Sequence, residues 1–119
     1  MANKNIKSTI IPIENKFAVM EAAEAPNSAN DNVLIDFEHN DNKIVILVTN
    51  EGSSNTDVTF HHGNGIQGCN DLVVSVDAGK TVAVNLESGR FKNVSGDLKG
   101  YAKVTAASTS VKYQVVVLP

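Results

Sequence analysis

The chain of 119 residues is short of the groups on which many protein functions depend. It has one cysteine, three prolines, no tryptophan, four phenylalanines and two tyrosines. The lone thiol, Cys69, excludes an internal disulfide, so the expected setting is a reducing cytoplasm or a fold that needs no covalent help. Scarce aromatics argue against a stacking surface for single-stranded nucleic acid or for sugars, since both use aromatic faces. Basic residues number ten against thirteen acidic ones, for a net charge of −3. They are scattered, whereas phosphate binding needs a basic patch or stripe, and no nucleic-acid partner is expected. Long apolar runs are missing as well. No stretch approaches the roughly 18 residues of a membrane helix, and Met1 to Lys16 lacks the apolar region of a signal peptide, so neither a membrane partner nor secretion is expected.

What is present is β-sheet pattern. The length fits one domain, which at this size buries roughly two-thirds of its unfolded surface, and 42% hydrophobic residues supply a core. Val33–Phe37 reads as a strand. Ile44, Ile46 and Val48 alternate with Val45 and Leu47 in a run that is apolar on both faces, the mark of a central or doubly covered strand. Val58 and Phe60 mark another. Leu72, Val74 and Val76 form one face of the next strand; Asp77-Ala78-Gly79-Lys80 then turns the chain into Val82, Val84 and Leu86, which predicts a hairpin. Arg90–Val94, Tyr101–Thr105 and Val111–Leu118 complete the set. Strands at spacings near ten residues, joined by Gly, Asn and Asp turns, predict a sandwich or small barrel. Ala18–Ala25 is either a short helix ended by Pro26 or an irregular arm. A polar linker, Pro26–Asn32, divides an N-terminal arm (residues 1–31) from the sandwich (residues 32–119).

No catalytic, cofactor or metal site is expected. Gly63-Asn64-Gly65-Ile66-Gln67-Gly68 matches G-x-G-x-x-G, but a dinucleotide site needs a helix after the glycines, and Cys69-Asn70-Asp71-Leu72-Val73-Val74 begins a strand. His61, His62 and Cys69, with His39, suggest a blue-copper set, yet no His or Met follows the Cys and adjacent strand residues point to opposite faces. Asn93-Val94-Ser95 is a glycosylation sequon that reads as incidental. Arg90, the only arginine, lies between Glu87 and Asp97. It reads as a local salt bridge or as an interface anchor. The candidate interface is Ile6, Ile10, Ile11, Ile13 and Phe17, together with Arg90. These apolar residues lie in a segment with few turn residues, which has to pack on its own domain or, by strand addition, on a neighbour.

Several strings resemble known families. V-I-L-V-T-N-E-G-S-S-N-T-D-V-T-F (Val45–Phe60) and V-D-A-G-K-T-V-A-V-N-L (Val76–Leu86) are similar to strand–loop–strand patterns of bacterial and viral immunoglobulin-like domains. G-N-G-I-Q-G-C-N-D-L, L-E-S-G-R-F-K-N-V-S-G-D and the terminal V-V-V-L-P resemble small head-decoration or auxiliary capsid proteins of tailed bacteriophages. The resemblance covers Val45–Pro119. It implies an all-β fold, a single immunoglobulin-like antiparallel β-sandwich with an extended N-terminal arm. It further implies a non-enzymatic protein of the virion surface, assembled in the host cytoplasm, with the major capsid protein as partner and self-association on the lattice as a further contact. An immunoglobulin-like carbohydrate- or receptor-binding module is the alternative.

Overall fold

A computed structural model of the chain describes residues 2–119. Nine strands run β1 Asn3–Asn5, β2 Ser8–Ile10, β3 Asn32–Asp36, β4 Ile44–Asn50, β5 Thr56–His61, β6 Leu72–Val76, β7 Thr81–Val84, β8 Tyr101–Ala106 and β9 Val111–Val117. The helical content is a 3-10 turn at Asp41–Lys43 and one α turn, α1 Ser88–Phe91. The strands form two sheets, β1-β3-β8-β5-β6 (sheet I) and β2-β9-β4-β7 (sheet II). The fold is an all-β sandwich.

Period-2 side-chain alternation places the core. On β4, Ile44, Ile46 and Val48 are buried while Val45 and Leu47 are half-buried. On β9 the buried set is Val111, Tyr113, Val115 and Val117. Opposite them stand Val33 and Ile35, Val58 and Phe60, and Val104 of sheet I, in one cluster that includes Phe37, Leu86 and Phe91. Asn50, the last residue of β4, is fully buried. Its amide donates to Ser54 O (2.8 Å) and Val76 O (2.9 Å), and its Oδ1 accepts from Gly52 N (2.9 Å). A buried amide is tolerated only when its bonds are made, and these tie β4 of one sheet to β6 of the other.

Strand order corrects the immunoglobulin-like expectation. Counting β2–β9 as first to eighth, sheet II has the order 1-8-3-6 and sheet I the order 2-7-4-5. This order differs from the ABED and CFG sheets of an immunoglobulin domain, and the fold is an all-β sandwich of two mixed sheets. Only the β5–β6 connection stays within its sheet; every other link from β3 to β9 crosses between sheets. The expected hairpin of Leu72–Val76 with Val82–Leu86 is therefore an arch. β6 pairs with β5, and β7 pairs with β4. The turn residues were read correctly, with Gly79 at φ 74°, but a tight turn can join strands of facing sheets as well as neighbours. The strand expected at Arg90–Val94 is instead α1 and a bend, and Ala18–Ala25 is irregular apart from one bridge at Glu24.

The N-terminal segment is no separate arm, and the sheets are mixed where antiparallel ones were expected. β1 pairs in parallel with β3, and β2 in parallel with β9. One extended run thus edges sheet I, changes sheets at Ile6–Lys7, and edges sheet II. Ile6, at the crossing, is 5% exposed and belongs to the core cluster. The boundary at residue 31 does not divide two bodies, because this run covers two sheet edges and fills the gap between them. The parallel pairing follows from chain direction. Residues 11–31 carry the chain back to the end where it started, so β3 runs the same way as β1. On that return Glu24 makes the antiparallel bridge to Tyr113.

Candidate functional site

The returning segment, residues 11–24, is a strap bonded to the edge and outer face of sheet II. Ile11 N donates to Val117 O (3.0 Å). The chain then turns at Ile13–Asn15, with Asn15 in the left-handed region (φ 63°), a conformation that asparagine tolerates better than most residues. On the way back Glu21 N donates to Thr9 Oγ1 (2.8 Å), Glu21 O accepts from Gln114 Nε2 (3.1 Å), and Glu24 exchanges two backbone bonds with Tyr113. Lys4–Glu24 and Lys7–Glu21 ion pairs, each 3.5 Å, sit beside these contacts. Exposed pairs of this kind add little; the backbone bonds hold the strap.

With its backbone bonded to the sheet, the strap turns its large apolar side chains to solvent. Phe17 is 86% and Val19 83% exposed, and Ile10, Ile13 and Met20 are each more than two-fifths exposed; Leu118, just after β9, is 40% exposed. The outward residues of the same sheet continue the apolar character: Val45, Leu47 and Val116 are half-buried. Single exposed apolar residues are ordinary on protein surfaces, but a cluster marks an interaction site. The outer face of sheet I is different. It presents Asp57, Thr59 and His61 from β5 and Tyr101, Lys103 and Thr105 from β8. Val73 of β6 is an exposed apolar side chain on that face.

Of the candidate interface residues, Ile10, Ile13 and Phe17 lie on this apolar surface, and Ile11 is half-buried beside it. Ile6 is corrected to the core, since its side chain closes the gap between the sheets. Val19, Met20 and Leu118 belong to the surface too. Their apolar character was visible in the sequence, but for Val19 and Met20 the exposure follows from the strap's bonds to Thr9, Tyr113 and Gln114.

Arg90 is corrected as well. It pairs with neither Glu87 nor Asp97 among the described contacts and is not an open interface anchor. Its Nε donates to Asn70 O (2.9 Å) and its Nη2 to Asp71 O (3.3 Å), with the guanidinium 4.8 Å from the Phe91 ring centre. Its own carbonyl accepts from Gly63 N (2.8 Å). Arg90 therefore clamps both ends of the glycine-rich loop between β5 and β6. Glycine is required there for close approach: a Cβ on Gly63 would strike Lys92 O, and one on Gly68 would strike Gly63 O. The G-x-G-x-x-G string closes a loop on itself and opens into a strand, with no helix for a phosphate. Arg90→Ala is expected to lower stability by about 1 kcal/mol, since charge-assisted bonds at a solvent-facing site contribute modestly. Amide hydrogen exchange of Asn64–Asn70 should rise while that of β4 and β9 stays unchanged.

Beside this loop three titratable groups meet. His62 donates to Asp71 Oδ1 through its backbone N (2.8 Å) and its Nδ1 (2.6 Å). These bonds hold the Asp71 carboxyl below the usual carboxylate range. His61 Nδ1 is 3.6 Å from Asp71 Oδ2, and its Nε2 is 2.7 Å from Thr105 Oγ1. Burial, and then the positive charge of Lys103, pushes the His61 imidazole below its ordinary value. The two histidines thus converge on one carboxylate, against the opposite-face expectation, because β5 ends at His61 and His62 is free to turn. Hydroxyl, imidazole and carboxylate stand in the order of a catalytic triad, yet the arrangement does not assemble a nucleophile. A separation of 3.6 Å is too long for the orienting hydrogen bond. The backbone N–H groups beside Thr105 lie in the β5–β8 ladder, so they are not aimed at a developing oxyanion. Among the described residues no group of three His, Cys, Asp or Glu is placed to hold a metal ion, and Cys69 is exposed on the loop.

At the opposite end of the sandwich the β4–β5 and β8–β9 loops enclose an open polar groove of about 650 Å³, lined by Ser53, Ser54, Asn55, Asp57, Ser108 and Ser110 among others. It has no aromatic wall on which a sugar ring could stack. In the sequon, Asn93 Nδ2 donates to Tyr101 O (2.9 Å), so the amide that glycosylation would modify is already bonded within the fold. Comparison of the chain with protein-family models, curated proteins and solved structures gives no match.

Proposed function

We propose that this chain is a non-enzymatic structural protein of a virion, a decoration protein that binds the outer surface of a tailed-phage head and reinforces or adapts it. The observation that carries the reading is the strap, which is bonded to sheet II through its backbone and leaves Ile13, Phe17, Val19 and Met20 exposed. A segment that presents exposed apolar side chains while its backbone is fixed to the sheet is suited to binding a protein surface. The resemblance of the Gly63–Leu72, Leu86–Asp97 and Val115–Pro119 strings to auxiliary head proteins points to the same class of partner, the major capsid protein. Net acidity favours the outside of a shell over the DNA-facing inside. Attachment takes place on the assembled shell, in the host cytoplasm, and repetition over the lattice lets a modest affinity per copy suffice.

The test is co-sedimentation with expanded capsids. The full chain should sediment with them to saturation. A Phe17→Glu, Val19→Glu variant should bind at least tenfold more weakly while melting within roughly 3 °C of wild type, because both side chains are solvent-exposed in the free protein. Equal binding by the variant would reject the surface. Failure of the full chain to bind capsids, with binding to a glycan array instead, would favour the carbohydrate-binding alternative and the polar groove.

A further inference from the structure

The glycines of the Gly63–Gly68 string do not share one reason for being glycine. Gly63 and Gly68 lie against backbone carbonyls that leave no room for a Cβ. Gly65 does not. A Cβ there would rest 3.5 Å from Val94 Cγ1, an ordinary contact, and its backbone is outside the left-handed region. The fold accepts alanine at this position. What glycine does supply is an unhindered backbone nitrogen directly after an asparagine, and Asn64-Gly65 is the only Asn-Gly pair in the chain. Among the described residues the Gly65 N–H makes no hydrogen bond. The Asn64 carboxamide, by contrast, is held at both ends: Nδ2 donates to Ser95 O (3.0 Å) and Oδ1 accepts from Val94 N (2.8 Å). These two bonds brace the loop against the segment after α1 and fix its tip, where Ile66 is fully exposed.

We infer that Asn64 is a site of spontaneous, irreversible modification that unlatches this loop. The Gly65 nitrogen attacks Asn64 Cγ; the Cγ–Nδ2 bond breaks, and Nδ2 leaves as ammonia with the proton that Gly65 gives up. Water then opens the cyclic imide at either carbonyl, leaving aspartate or, with the chain routed through the side chain, isoaspartate. The reaction needs neither oxidant nor cofactor. Either product breaks the brace. A carboxylate still accepts from Val94 N but has no proton to donate to Ser95 O, so two acceptors face each other. Isoaspartate also adds a carbon to the backbone of a loop whose close approaches at Gly63 and Gly68 allow no slack. The same two bonds set the pace, because a carboxamide bound to residues 94 and 95 is not free to swing onto the Gly65 nitrogen. Reaction therefore proceeds from the opened loop, and Arg90, which clamps both ends of that loop, governs how often it opens. This chemistry uses neither the strap nor the outer face of sheet II, so it stands or falls independently of capsid attachment.

The test incubates the full chain at mildly alkaline pH, beside a free peptide of residues 62–68 as the unbraced reference. Ammonia release and peptide mapping by mass spectrometry follow the conversion. Asn64 is expected to react ahead of every other asparagine, and more slowly than in the peptide. Arg90→Ala should convert roughly fivefold faster than wild type, the rise in open loop that its expected stability loss implies. Gly65→Ala should convert roughly tenfold more slowly at an unchanged melting temperature, because a Cβ crowds ring closure and narrows the backbone angles it needs. Asn64→Asp, which matches one product, should raise amide hydrogen exchange across residues 64–70 and leave β4 and β9 protected. The inference is overturned if Asn64 keeps its amide in both wild type and Arg90→Ala while the peptide converts fully, or if another asparagine reacts first. It is equally overturned if Gly65→Ala converts as fast as wild type, or if Asn64→Asp leaves the exchange of the loop unchanged.

Discussion

A chain beginning at Asn32 is expected not to fold. Truncation after Asp31 removes β1, β2, the buried Ile6 and the Glu24 bridge, leaving the β3 and β9 edges bare. Losing a buried isoleucine alone costs about 2–5 kcal/mol when a cavity is left. The truncated chain also loses two three-residue ladders and the strap beside Tyr113, a side chain now 1% exposed. Burial raises the Tyr113 phenol well above its ordinary pKa. Set against a typical total stability of about 5–15 kcal/mol, the sum is enough to abolish the folded state. Circular dichroism and thermal melting provide the check: the full chain should melt cooperatively and the truncated one should show no transition. A truncated chain that melts near the full-length temperature would make residues 1–31 an accessory arm after all.

The second large effect is Val48→Asp. Val48 is fully buried at the centre of β4, between Val82 of β7 and Tyr113 of β9. A carboxylate there has no basic partner, and burying an unpaired charge costs about 4 kcal/mol or more unless the group stays protonated. Because protonation relieves that cost, the defect should be severe at neutral pH and milder in acid. Val84→Asp offers the graded comparison. Val84 is half-buried on the edge strand β7, so its carboxylate can reach water and the loss should be smaller. Denaturant melts of the two variants at neutral pH should rank Val48→Asp well below Val84→Asp. Similar stabilities would mean that β7 lies deeper in the sandwich than its register with β4 indicates.

The strands were legible because burial writes a period of two into β4, β5, β8 and β9; of the inward residues expected around Gly79, Val76 and Leu86 are in the core, while Leu72, Val74, Val82 and Val84 are half-buried against it. Their partners were not legible. The Asp77-Ala78-Gly79-Lys80 turn has the residues of a hairpin, and whether the chain then pairs beside β6 or crosses to β4 is decided by which sheet offers an open edge. Strand order is a property of such non-local choices. α1 was missed because Ser88-Gly89-Arg90-Phe91 has no helical period over a single turn. For the candidate surface, apolar content between Ile6 and Val19 was plain, but not which side chains face in. Ile6 goes to the core because the run crosses between sheets there, and Phe17 goes to solvent because Glu21 and Glu24 bond the strap's backbone to the sheet. The role of Arg90 was equally hidden, since backbone carbonyls twenty residues away leave no sequence signal.

The central claim is that the strap and the outer face of sheet II are the attachment surface. Hydrogen–deuterium exchange of the full chain, free and bound to expanded capsids, tests it in one measurement. Protection is expected to appear on binding in residues 11–24, with smaller gains at the β4 and β9 amides already held in the ladder, and none at Gly52–Asp57 or Ala107–Ser110 of the polar groove. Protection confined to the groove loops, or to β5, β6 and β8 of sheet I, would contradict it.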